Sequence, residues 1–156
     1  IYLLPDENRD GRADDRATFA DKHKNDLNLP FGMAFSKGYF FVGNTDRVIR
    51  FPYADGQKAI EGKPELVMQL PGQGYNQHWT RNVIPAPDAG LFVSVGSESN
   101  AGIEAPPRAA VTWTSLDGTQ NRLVASGLRN PVGLATHPKT GQLFTTVNER
   151  DEIGDE

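Results

Sequence analysis

A chain of 156 residues is about the length of one ordinary domain. Its net charge of −4 argues against a nucleic-acid or anionic-membrane partner, since both want a basic face. With no cysteine there is neither a disulfide framework nor a thiolate metal site, and no apolar run approaches the roughly 20 residues needed to span a bilayer.

The 37% hydrophobic content, 16 glycines and 11 prolines describe a chain of many turns, so the expected fold class is all-β with short strands. The chain opens at Ile1 without a methionine or a signal-like segment, and Ile1-Tyr2-Leu3-Leu4 is strand-like from its first residue. Glu156 closes an acidic loop at the other end. Both ends are expected to be cuts through a larger fold, making this a fragment.

Next comes Asp6-Glu7-Asn8-Arg9-Asp10-Gly11, a D-x-N-x-D-G pattern. In a calcium loop, oxygens at alternate positions, here Asp6, Asn8 and Asp10, converge on a cation while the glycine allows the sharp turn. The helix-loop-helix version needs a bidentate glutamate at the twelfth position, and Ala17 stands there instead. A solvated hairpin turn is the other reading. Residues 15–29 are charged and read as a solvated stretch, with His23 on the surface.

Pro30-Phe31-Gly32-Met33-Ala34-Phe35, Tyr39-Phe40-Phe41-Val42-Gly43-Asn44 and Arg47-Val48-Ile49-Arg50-Phe51 are three β segments separated by turn residues, the pattern of one antiparallel meander. The same pattern returns from Asn82 through Leu91-Phe92-Val93-Ser94-Val95, Ala109-Ala110-Val111-Thr112-Trp113 and Arg122-Leu123-Val124-Ala125. A third copy starts at Pro131-Val132-Gly133-Leu134-Ala135, sharing Pro-x-Gly-x-Ala with the first, two steps of about fifty residues away. A unit recurring every roughly 40–50 residues is the mark of a β-propeller, here about three blades. The expected division is 1–29 for the end of one blade and a linker, 30–76 and 77–127 for two blades, and 128–156 for the start of the next. Exposed blade faces make self-association an expected hazard.

In such rings the loops entering each innermost strand line an axial pocket. Gln77-His78-Trp79-Thr80-Arg81-Asn82 enters the second copy after the glycine-rich run 71–76, and Leu128-Arg129-Asn130 enters the third. Residues 148–156 form the turn after that copy's second strand. Imidazole is the usual base near neutral pH, and a planar guanidinium suits a carboxylate ligand. Structural readings stand beside each of these. His78 can simply brace its loop, Arg129 and Asn130 can satisfy carbonyls between blades, and 148–156 can be a solvated acidic loop. Trp79 and Trp113 read as packing residues, and His137 as a turn residue.

Five motifs occur in order: Asn28-Leu29-Pro30-Phe31-Gly32, Gly43-Asn44-Thr45-Asp46-Arg47, His78-Trp79-Thr80-Arg81-Asn82, Gly127-Leu128-Arg129-Asn130-Pro131-Val132-Gly133 and Asn148-Glu149-Arg150-Asp151-Glu152. Together they resemble the L-sorbosone dehydrogenase branch of the soluble sugar dehydrogenases that depend on pyrroloquinoline quinone (PQQ), glucose dehydrogenase among them. The resemblance implies a six-bladed propeller that oxidises an aldose or sorbosone-like sugar at C1, passing hydride to PQQ with calcium polarising the quinone. It implies His78 as the general base, Arg129 and Asn130 as holders of cofactor carboxylate and quinone oxygens, and the backbone carbonyls of Arg150 and Asp151 as calcium ligands. Ser97 stands where sugar-oxidising relatives have an acid that orients the histidine, a departure expected to weaken the base. The resemblance also implies a periplasmic or secreted protein with further cofactor contacts beyond Glu156, so the 156 residues alone are expected to be inactive. Two rivals keep the fold: a non-catalytic propeller binding sugar or protein, and a calcium-dependent lactonase, which would want several convergent carboxylates.

Overall fold

A computed structural model describes residues 1–73 and 76–151, and every regular element among them is a β-strand. At the N-terminus β1 (Tyr2–Leu3) and β2 (Ala17–Thr18) pair antiparallel. A four-stranded antiparallel meander follows, in spatial order β3 (Met33–Ser36), β4 (Tyr39–Gly43), β5 (Arg47–Pro52) and β6 (Glu65–Gln69). A second has the same order, with β7 (Arg81–Pro85), β8 (Gly90–Val95), β9 (Ala110–Ser115) and β10 (Asn121–Ser126). The pair β11 (Asn130–Thr136) and β12 (Leu143–Asn148) completes the described chain.

The first strands of these three sheets lie against one another, β3 on β7 and β7 on β11. Gly32 N–H donates to Arg81 O at 2.9 Å, and Asn82 Nδ2 donates to Val132 O at 2.8 Å. Consecutive antiparallel sheets meeting at their innermost strands are the blades of a β-propeller, so the all-β propeller class is as expected. The close approach also explains a glycine of the repeated Pro-x-Gly-x-Ala motif. A Cβ on Gly32 would drive into the backbone of Arg81 and Val83, leaving no room for a side chain.

Period-two alternation sorts each blade's side chains onto two buried faces. On β4 and β5, Phe41 and Val48 join Val83, Leu91, Val93 and Val95 in the core between the first two blades. Their neighbours Phe40, Val42, Ile49 and Phe51 face the other way, onto Phe19, Leu27 and Ile60. On β8, Phe92 turns toward Val111, Ile84 and Leu134 at the joint with the third sheet. Arg50 fastens the first joint from outside: it pairs with Glu65 at 2.7 Å, donates to Leu116 O at 2.8 Å and lies over the Tyr39 ring.

The expectation of a solvated stretch over 15–29 is corrected here. Phe19, Ala20, Asn25 and Leu27 are buried, and Phe19 meets Phe40 edge-on with ring centroids 5.2 Å apart. The reason is that the outer face of the first blade is apolar and needs a cover. Lys22, Lys24 and Asp26 of this stretch sit on the turn at 22–26, where Asn25 accepts from Asp21 N–H and donates to Gly62 O. His23 is exposed. No helix among the described residues is long and apolar enough to cross a membrane.

Candidate active site

The loop before β7, the residues after β8 and the start of β11 meet at one end of the second blade. Gln77 N–H donates to Glu98 O at 3.0 Å, and Ser97 N–H donates to Arg129 O at 2.7 Å, so the three segments are joined through their backbones. His78 is buried at their centre. Its Nδ1 lies 3.0 Å from the carbonyl oxygen of Ser97 and 3.0 Å from the Ser97 hydroxyl. That hydroxyl donates to Ser99 O at 2.6 Å. No hydrogen bond reaches His78 Nε2 from the described residues.

Gly96 sets the spacing. A Cβ there would lie 2.6 Å from both His78 Cβ and Asn130 Oδ1, so the histidine of one blade and the asparagine of the next crowd the same glycine. Asn130 is itself buried, and its Oδ1 has no hydrogen-bond partner among the described residues. A buried acceptor left unpaired is costly unless something outside the protein donates to it. Gly96→Ala is expected to push the two side chains apart, lowering stability by about 1–3 kcal/mol, as overpacking does. Chemical denaturation together with the His78 ring resonances checks this; unchanged stability and shifts would show that the site has slack.

Arg129 spends most of its guanidinium on oxygens of the protein. Its Nε donates to Asn100 O at 2.8 Å, Nη1 to Asn148 O at 3.1 Å, and Nη2 to Asn100 Oδ1 at 2.6 Å. A longer ion pair of 3.4 Å reaches exposed Asp151. Of five N–H groups, one on Nη1 has no partner among the described residues. The guanidinium thus ties the β8–β9 connection to the end of β12. Beside it opens a cleft of about 640 Å³, whose lining includes Ser97, Glu104, Arg129, Glu149 and Arg150.

Arg150 and Asp151 are exposed, and Asp151 N–H donates to Asn100 Oδ1 at 3.2 Å. The rest of the predicted acidic run, from Glu152 on, lies outside the described residues, as do Gly74 and Tyr75 of the glycine-rich approach to His78. The N-terminal acidic loop is drawn in on itself. Asp6 accepts from the N–H groups of Asp10 and Gly11, Asn8 Oδ1 from Asp10, and Asp10 Oδ1 from Arg12, at 2.8–3.1 Å. These are the hydrogen bonds of a turn. Among the described residues no group of three or more His, Cys, Asp or Glu is placed to hold a metal.

Two residues carry more of the site than the sequence suggests. Arg81 is fully buried, and its guanidinium donates to His78 O at 2.6 Å, Thr80 O at 2.9 Å, Pro71 O at 2.8 Å and Asn76 Oδ1 at 3.3 Å. Burial lowers its pKa to about 10, Arg108 adds to the shift and Asp46 opposes it, so it remains a cation at neutral pH. Asn100 is the second, accepting from Arg129 and Asp151 together. Nothing in the polar run around Asn100 marks it out, because its partners are fifty and thirty residues away. Trp79 is 42% exposed and stands edge-on to Phe31, at 6.4 Å between centroids, on the same end of the blades.

Propeller blades that gather at one end a buried histidine, arginines and an amide oxygen without a partner among the described residues are the class that the fold and the site define. The chain belongs to the TrAA12-like family, whose model matches residues 3–156. Its fold is shared with a calcium structure of a Trichoderma reesei protein of carbohydrate-active enzyme family AA12, at a TM-score of 0.76 and 21% identity over 96% of this chain and 40% of that one. The holo form of the pyranose dehydrogenase PQQ domain from Coprinopsis cinerea matches with a TM-score of 0.74 and 20% identity, over 96% and 38% of the two chains. An uncharacterized protein of Borreliella burgdorferi is 24% identical over 138 residues, 83% of this chain and 36% of its own length. The chain therefore spans about two fifths of the proteins it resembles.

Proposed function

We propose that this chain is the histidine-bearing part of a PQQ-dependent sugar oxidoreductase acting on an aldose or sorbosone-like sugar at C1. The observation that carries the reading is the pairing of His78, its Nε2 unengaged by the described residues, with the buried unpartnered Oδ1 of Asn130. PQQ has a ring N–H donor as well as carboxylates. Asn130 Oδ1 suits the first, and the spare Nη1 proton of Arg129 with exposed Arg150 suits the second. These residues fit the cofactor.

Bound PQQ would supply the hydride acceptor. His78 would take the proton of the sugar's C1 hydroxyl on Nε2 as the hydride departs, so that proton and hydride leave the same alcohol in one oxidation. Asn130 and Arg129 would hold the cofactor in place. With no carboxylate cluster among the described residues, a calcium ion here would rest on main-chain oxygens, which we assign to Arg150 and Asp151.

One rival has an observation of its own. Most of the Arg129 fork is spent on Asn100, Asn148 and Asp151, as a purely structural clamp would be. Titration of PQQ into the full-length protein with calcium, followed by absorbance and calorimetry, separates the two. Saturable binding and aldose oxidation are expected. No affinity for PQQ would leave a non-catalytic binding propeller as the better account.

A further inference from the structure

We propose that Ser97, through its carbonyl and its hydroxyl together, fixes His78 as the Nδ1–H tautomer and so keeps Nε2 bare. The inference deepens the proposed function, resting on it only for what Nε2 then does. Two oxygens stand 3.0 Å from Nδ1. The carbonyl of Ser97 can only accept. The hydroxyl has one proton, and the 2.6 Å contact to Ser99 O, another pure acceptor, commits it there. Both oxygens therefore present lone pairs to Nδ1.

An unprotonated Nδ1 in that buried position would face two lone pairs with nothing between them. A protonated one donates to both. In a neutral imidazole the other nitrogen then has no proton. Ser97 is in turn held: it is buried, and its N–H donates to Arg129 O at 2.7 Å. The ring is oriented from one side by neutral acceptors, one of which is main chain and cannot be lost by substitution. Ser97 is thus a positioning residue that acts through His78. It performs the orienting task without a carboxylate.

Histidine-selective 15N labelling of the full-length protein, free of cofactor, reads the tautomer from long-range 1H–15N correlations above the imidazole titration. The expected spectrum has a protonated Nδ1 and an unprotonated Nε2 for His78. Ser97→Ala removes one acceptor and the tie to Ser99, so mixed tautomers are expected, with turnover of the PQQ-loaded protein down about three- to tenfold, the worth of one hydrogen bond. Ser97→Thr, which keeps the hydroxyl, should restore both. An Nε2–H signal in the unsubstituted protein overturns the proposal, and so does an undiminished Nδ1–H signal in Ser97→Ala. Because the spectrum is taken without PQQ, failure of PQQ binding leaves this result intact, and a wrong tautomer leaves PQQ binding intact.

Discussion

His78→Ala in the full-length protein is expected to lower sugar oxidation by about 10²–10⁴-fold, the usual contribution of a general base. PQQ binding should be little changed. The separation follows from what the substitution spares. The backbone oxygen that accepts from Arg81 stays, and so does the Cβ that packs at Gly96. Of the proposed cofactor holders, Asn130 belongs to the next sheet and Arg129, just before it, keeps its own partners. Steady-state kinetics with a PQQ titration on the same sample decides it. Equal loss of binding and turnover would mean that His78 braces its loop, and the proton-acceptor role would be gone.

Replacing Arg81 should strike stability harder than any other single side chain of this end. Arg81→Met leaves the carbonyls of His78, Thr80 and Pro71 without their donor, and each acceptor stranded in a buried place costs about 1–3 kcal/mol. Part of that is returned, because a buried cation is removed as well. A net destabilisation of about 3 kcal/mol is the expected result, with faster amide exchange around residues 76–81. Arg81→Lys should recover less than half, since one ammonium cannot reach acceptors that a fork spans. Denaturant midpoints and exchange rates equal to those of the unsubstituted protein would show that the loop is held by other means.

The blades were legible because their strands announce themselves. Tyr39-Phe40-Phe41-Val42 and Leu91-Phe92-Val93 are β-branched and aromatic between turn residues, and the returning Pro-x-Gly-x-Ala gave the period. The outermost strand β6 is not in the sequence reading, and its composition shows why. In Glu65-Leu66-Val67-Met68-Gln69 the apolar run is only three residues long, Leu66-Val67-Met68, shorter than the roughly four to eight that mark a strand. Phe19 and Leu27 were hidden for another reason: charged neighbours mask two anchors whose partners lie on β4 and β5. His78 could be picked out as the histidine in a polar cluster. The resemblance pointed to Ser97 as the residue beside it, but the share of the hold taken by the Ser97 carbonyl was not legible, because every residue has a main-chain oxygen and no sequence displays where it points. Arg81 was in view as a letter and invisible as a hub.

Gly96 stands where a histidine carried by one blade and an asparagine carried by the next come within touching distance of one point. Propeller repeats invite modular engineering, with cuts and swaps made between one repeat and the next. Here the seam before β11 runs through the candidate site. A chimera joined at residue 128 would inherit its histidine from one source and the facing amide from another, and the two would have to agree to a few tenths of an ångström. Any recombination of such proteins should carry residues 71 to 151 as a single cassette, so that the acceptors of Arg81 and the partners of Arg129 travel with the site.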